Sequence, residues 1–283
     1  MPRRQQAVLQ CGRFELSLDR PLLMGIVNLT PDSFSDGGRH LDPRAAIDAG
    51  LAMVEQGADI LDLGAESTRP GAATVEPAEE IRRLLPVIEG LAACGVPLSV
   101  DTRKPEVMRE VLAAGADMIN DIAGFATPAA IEAVAASRCG LCVMHMQGEP
   151  GTMQQAPAYE DVVAEVQDWL RERVVALGAA GVEATRIVLD PGIGFGKTVD
   201  HNLQLLEALD EFAVFGMPLL VGVSRKSLIG ALTGRPVDGR LAGSLAAALA
   251  AVARGAKIVR VHDVPETRDA LRVWQAIEEA GAG

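Results

Sequence analysis

An α/β fold built as a single (β/α)8 TIM barrel is the class that the 283-residue sequence predicts, and three observations carry the expectation. Eight short apolar runs alternate with helical patterns, as a parallel sheet covered by helices requires. A phrase of helix, Gly-Ala and apolar strand recurs as QGADILDLG, AGADMINDI and RGAKIVRVHD, its glycine suited to the left-handed end of a helix. Each run then closes in polar residues, at the end of the strand where a parallel barrel carries its active site. Two average domains, or an open doubly wound sheet, would also fit the length, but the count of eight favours closure and no linker-like stretch splits the chain.

In chain order, residues 1–20 read as an N-terminal extension, a hairpin across the barrel bottom, and residues 21–283 as the single barrel domain. The eight strands are Leu23–Asn28, Asp59–Gly64, Pro97–Asp101, Asp117–Asp121, Leu141–Met146, Arg186–Asp190, Pro218–Val223 and Lys257–Val261. Helices begin where Asp42 precedes Pro43, Lys104 precedes Pro105 and Thr127 precedes Pro128, with Asp42 and Thr127 placed to cap. Longer periodic stretches run from Asp161 to Leu177, Arg240 to Arg254 and Glu266 to Ala280.

Composition narrows the partners. The net charge of -12, from 38 acids against 26 bases, repels nucleic acid and anionic membrane, so neither is expected as a partner. Two arginines near the start are followed by no apolar segment of a leader, and no window approaches a membrane span; the expected location is cytoplasmic. Four cysteines do not make a disulfide framework, and the C-G-L-C spacing of Cys139 and Cys142 has no second Cys or His pair to complete a zinc site.

The strand ends are Asn28, Asp62 with Glu66, Asp101, Asn120 with Asp121, His145, Asp190, Ser224 to Lys226, and Arg260 with His262 and Asp263. Helix capping would explain any one acid. Asp101, Asn120 and Asp190 together can instead read a flat heterocycle showing both donors and acceptors, such as a 2-aminopyrimidinone edge. SRKS, Ser224 to Ser227, puts Arg225 and Lys226 where a strand hands over to a helix, which predicts an anion site. Arg260 and His262, one residue apart on a strand, are expected side by side on a phosphate or diphosphate. The loop DPGIGFGKT matches neither a dinucleotide fingerprint nor a P-loop and reads as a flexible mouth loop. GIVNLTPDSFSDGG and GAESTRPGA leave their strands through polar loops far denser than turns need, which asks for a ligand.

Taken together, MGIVNLTPDSFSDGG, DLGAESTRPGA, VDTRKPEV, INDI, VMHMQGEP, LDPGIGFGK, GVSRKS and RVHDV resemble, in order from Met24 to Val264, the dihydropteroate synthase family. The resemblance implies a barrel that joins a dihydropterin diphosphate to p-aminobenzoate in folate biosynthesis, with small-molecule substrates, Mg2+ as cofactor and a homodimer as assembly. It implies that Asp101, Asn120, Asp190 and Lys226 hydrogen-bond the pterin, that Ile122, Met144 and Phe195 wall it, and that Arg260 packs near the ring. Asn28, Arg260 and His262 would hold the diphosphate, Asn28 lending an oxygen to Mg2+. Phe34, Thr68, Arg69, Pro70, Lys226 and Ser227 would form the p-aminobenzoate site.

The catalytic set it implies is Asp101, Lys226, Arg260 and His262, joined by Asp36 on a lid made by the first loop. The sequence departs from the family pattern at Ala65, where a second glycine is frequent, and at Arg103, where a serine is common. A methyltetrahydrofolate:corrinoid methyltransferase would share the pterin-reading acids but have little use for SRKS or the lid. A non-catalytic paralogue would keep the pocket without the reaction.

Overall fold

The computed structural model describes residues 8–30, 42–67 and 74–281. A hairpin comes first, β1 (Val8–Cys11) antiparallel to β2 (Phe14–Ser17). Eight parallel strands follow: β3 (Leu22–Asn28), β4 (Ile60–Gly64), β5 (Leu98–Asp101), β6 (Met118–Asp121), β7 (Gly140–Met144), β8 (Ile187–Asp190), β9 (Leu219–Val221) and β10 (Ala256–Val261). They close in the order β10-β3-β4-β5-β6-β7-β8-β9, so the barrel that the sequence predicts is the architecture observed.

The helices between them are α1 (Pro43–Glu55), α2 (Pro77–Leu91), α3 (Pro105–Ala113), α4 (Pro128–Ala135), α5 (Val162–Ala179) and α6 (Val199–Glu207). Two more, α7 (Ser227–Thr233) and α8 (Leu241–Ala253), stand between β9 and β10, and α9 (Val264–Gly281) ends the described chain. The expected caps form: Asp42 accepts the Arg44 N–H and Thr127 accepts the Ala130 N–H, each with proline in the first turn. Lys104 precedes α3 without capping it, because an ammonium has no acceptor for the helix N–H groups; it donates instead to Glu66, to Glu80 at 2.6 Å and to the Val75 carbonyl at 2.6 Å.

Alternation along each strand sorts side chains into two cores. Outward-facing residues such as Leu61, Val100 and Ile119 join the helices in the large core. Inward, Met24, Ile60, Met118, Cys142, Val188, Leu220 and Ile258 fill the barrel with Leu9, Cys11 and Leu18 from the hairpin region. The hairpin plugs the end where strands begin, since Gly12 N–H donates to the Arg138 carbonyl and both Nε and Nη2 of Arg13 reach the Asp117 carboxylate at 2.9 Å. That leaves the opposite end for polar groups.

Two residues beyond this apolar layer, the same inward faces carry Asp62, Asn120, Met144, Asp190, Gly222 and Arg260, while β5 contributes Ser99 and Asp101. Register sets the height of this layer: Asn28 pairs with Gly64, Gly64 with Asp101, and Asp101 with Asn120. Packing of the apolar layer below is what holds that register. Leu9→Ala should therefore cost about 2–5 kcal/mol, read as a fall in the urea midpoint. An unchanged midpoint would mean that the hairpin does not stabilise the barrel.

Candidate functional site

Asp62 is the centre of the polar layer. It is fully buried, so its charge must be met by donors. Ser99 Oγ donates to Oδ1 at 2.6 Å, while Oδ2 accepts from Asn120 Nδ2 at 3.2 Å and from Arg260 Nε at 2.6 Å. Arg260 also reaches Asp101 with Nη2 at 3.1 Å, so one guanidinium bridges two acids. The amide of Asn120 gains its direction from this network: its NH2 group faces Asp62, which aims the Oδ1 acceptor the other way.

Asp101, Asn120 and Arg260 are thus brought together as expected, but none of them caps a helix. Asp190 accepts the Gly192 N–H at 2.7 Å with one oxygen. Burial raises the pKa of Asp101 to about 7 against the opposing pull of Arg260, and burial likewise raises Asp190 against Lys226. Lys226 is lowered to about 8 by burial, with Asp190 pulling the other way. Asp121, by contrast, spends its oxygens on the Ala123 and Phe125 N–H groups at 2.8 and 2.7 Å and serves the turn after β6.

The loop after β8 corrects the sequence reading, because it is pinned rather than flexible. A side chain at Gly192 would come within 1.8 Å of the His145 carbonyl oxygen, and one at Gly196 within 2.3 Å of the Gln147 carbonyl oxygen; both residues have positive φ. Asn202 Oδ1 accepts the Gly194 N–H at 2.6 Å, and the Tyr159 hydroxyl donates to the Gly196 carbonyl at 2.9 Å. Beneath lies buried Lys197, whose Nζ donates to Phe195 O at 3.0 Å and sits 2.9 Å from His145 Nδ1. Burial lowers Lys197 to about 7 and His145 to about 3, so the imidazole is a neutral acceptor.

This rigid loop presents Phe195 to the mouth. Lys226 Nζ lies 4.7 Å from the Phe195 ring centroid and donates to the Ile193 carbonyl. Met144 is buried beside Asp190 in the strand register, and Ile122 is buried just past β6. Gly222 lies where Lys226 and Arg260 converge; a Cβ there would meet Lys226 Nζ at 3.7 Å and Arg260 Cβ at 3.8 Å, ordinary van der Waals contact.

The anion site read from SRKS is only half supported. Arg225 turns to Asp263 with Nε at 3.1 Å, in a left-handed conformation (φ 57), so Lys226 alone of the pair faces the polar layer. Arg260, in β10, is bonded to the two acids through Nε and Nη2, and His262, just past the end of that strand, has Nδ1 3.0 Å from Ser224 Oγ. Ser227 begins α7, and Asn28 ends β3 half-buried at the level of Asp101. Phe34, Asp36, Thr68, Arg69 and Pro70 lie outside the described residues.

Sequence reasoning noted Asp62 as a strand end and gave it no role. The signal was Ser99, a lone hydroxyl within an apolar strand, paired in register with Asp62. Of the two departures from the family pattern, Arg103 is paired with Glu149 at 2.6 Å and Ala65 is buried in the large core.

Three comparisons bear on this geometry. A family model described as pterin binding enzyme matches residues 24–262. A dihydropteroate synthase of Neisseria meningitidis serogroup C is 53% identical over 275 residues, 95% of this chain and 97% of that protein. Among solved structures, the Xanthomonas albilineans dihydropteroate synthase with 4-aminobenzoic acid superposes with a TM-score of 0.91 at 53% identity, covering 97% of this chain and 99% of that one. The Burkholderia cenocepacia dihydropteroate synthase complexed with 7,8-dihydropteroate gives 0.90 at 53% identity and 98% coverage of each.

The network predicts an energetic asymmetry. Asp62→Ala strands a buried guanidinium and an amide, and should destabilise the fold by about 3–5 kcal/mol in urea unfolding. A cost under about 1 kcal/mol would show that Asp62 is not the partner the layer depends on.

Proposed function

The chain belongs to the pterin binding enzyme family, and from that premise we infer that it works as a dihydropteroate synthase. It joins 6-hydroxymethyl-7,8-dihydropterin diphosphate to p-aminobenzoate, giving 7,8-dihydropteroate and diphosphate in folate biosynthesis. The observation that carries this reading is the Asp62-centred network, which fixes Asn120 as an acceptor beside Asp101 and Arg260 at the barrel mouth.

An aminopyrimidinone edge has N–H donors and one carbonyl. Asp101, Asn120 and Asp190 supply acceptors for the donors, Lys226 supplies a donor for the carbonyl, and Ile122, Met144 and Phe195 wall the ring. The p-aminobenzoate site is assigned, by the family resemblance, to Lys226 and Ser227 with the loop residues Phe34, Thr68, Arg69 and Pro70.

In the reaction the exocyclic C–O bond breaks with its electron pair leaving on diphosphate. The aniline nitrogen forms the new C–N bond and then loses a proton to solvent. An arylamine is a modest nucleophile, so early departure of the leaving group is the favoured order. Arg260 retains N–H donors beyond the two spent on Asp62 and Asp101, and with His262 these stabilise the departing charge. The carboxylate of Asp101 stabilises positive charge developing on the pterin, and Asp36 helps when the first loop excludes water. Diphosphate release that never precedes attack by p-aminobenzoate in isotope exchange would count against this order.

Mg2+ belongs to the same reading. Among the described residues no group of three or more His, Cys, Asp or Glu side chains could hold a metal. Asn28 would give the ion one oxygen, with water and substrate phosphates supplying the rest. When bound, Mg2+ neutralises charge on the leaving diphosphate.

A homodimer is also part of the reading, supported by the apolar side chains of Leu232, Val273 and Ile277 exposed on α7 and α9. So is a cytoplasmic location, which suits four free cysteines.

The direct test is diphosphate release from the dihydropterin diphosphate with Mg2+, with and without p-aminobenzoate. Release accompanied by dihydropteroate is expected; tight pterin binding with no release would instead mark a pocket that has lost the reaction. Lys226→Ala should lose on the order of 3–4 kcal/mol of transition-state stabilisation, several hundred-fold in kcat/KM, and near-native rates would remove Lys226 from the site.

A pH dependence follows from Asp101. Its pKa is raised, so the proton stays on to about pH 7 and the useful carboxylate is lost as pH falls through that value. The rate should drop several-fold from pH 7 to 6 in the native chain. Asp101→Asn should remove this limb from its residual activity, and an identical acid limb in the variant would assign the titration elsewhere.

A further inference from the structure

We propose that Ser224 is a positioning residue for this reaction: it fixes the ring orientation and tautomer of His262, so that Nε2–H is offered to the leaving diphosphate. The inference rests on the function proposed above and adds a residue to it. Ser224 is buried, and its Oγ makes two contacts with the same histidine. The backbone N–H of His262 donates to Oγ at 3.3 Å, and Oγ lies 3.0 Å from His262 Nδ1.

A hydroxyl has one proton and two lone pairs. One lone pair is occupied by the backbone N–H, and among the described residues the proton of this buried hydroxyl has no acceptor other than Nδ1, so it is donated there. Nδ1 is then an acceptor, and a neutral imidazole must carry its proton on Nε2. The tautomer matters because a diphosphate oxygen only accepts. Nε2–H would donate to it, whereas an Nε2 lone pair would repel it.

The serine is itself held. The next residue, Arg225, has a left-handed backbone (φ 57), and its N–H donates to Ser244 Oγ at 2.9 Å. Arg240 Nη1 donates to the Arg225 and Lys226 carbonyls at 3.0 and 3.3 Å. The Arg225 guanidinium pairs with Asp263, the neighbour of His262, so the ends of β9 and β10 are tied by side chain, backbone and ion pair at one point. This gives Arg225 a purpose other than the anion site that the sequence suggested for it.

Two measurements test the assignment. Ring 15N shifts of histidine-labelled protein, with the His262 signal assigned by its loss in His262→Asn, should show Nδ1 as acceptor and Nε2 protonated at a pH where the ring is neutral. Ser224→Ala should lose that preference and lower kcat roughly tenfold with KM for p-aminobenzoate unchanged, the scale of one hydrogen bond, and Ser224→Thr should restore both. A proton on Nδ1 in the native chain, or Ser224→Ala with native spectrum and native kcat, would overturn the proposal. A native chain that releases no diphosphate would sink the reaction itself, while the ring spectrum would still decide the tautomer.

Discussion

The ion pair between Asp62 and Arg260, at 2.6 Å and with the acid fully buried, is the constraint on which the rest of the site depends. A buried charge is tolerated only when its partners are fixed and its lone pairs are met. Asp62 meets that condition with Ser99, Asn120 and Arg260, and each partner is oriented in return. Asn120 thereby becomes a directed acceptor, and Arg260 is held where it can also reach Asp101. A polar pocket prepared before substrate arrives does not reorganise at the moment of reaction, which is where much electrostatic catalysis originates.

The barrel makes such a pocket possible by layering. Met24, Ile60, Met118 and their neighbours fill the lower interior, and the hairpin closes the open end beneath them. The next inward positions carry charge, and the low dielectric below them shifts Asp101 and Lys226 toward neutrality in opposite senses. Lys197 and His145 extend the same logic behind the β8 loop, where a buried amine and a neutral imidazole hold the backbone that carries Phe195. One packing arrangement thus serves stability at one end and chemistry at the other.

Much of this was legible in the sequence because it is local. Strand runs, Pro-started helices and polar strand ends are read from neighbours along the chain, and Asp101, Asn120, Asp190, Lys226 and Arg260 are singled out that way. What was not legible is pairing across the barrel. Nothing near Asp62 in sequence announces Arg260, 198 residues away. Arg225 looks like an anion ligand until Asp263 claims it, and the glycines at 192 and 196 look flexible until the close carbonyls of His145 and Gln147 are in place. Nor does the sequence around His262 announce Ser224, whose Oγ lies 3.0 Å from its Nδ1.

Asp62 orders the groups proposed to read the pterin, and it is not expected to touch the ligand itself. The most direct measurement is a crystal structure with 6-hydroxymethylpterin bound. The ring edge is expected within hydrogen-bond distance of Asn120 Oδ1 and of the Asp101 and Asp190 carboxylates, with the Asp62 contacts to Ser99, Asn120 and Arg260 unbroken. A ring bonded to Asp62 itself, or Arg260 displaced from Asp62 when the ligand enters, would contradict this expectation.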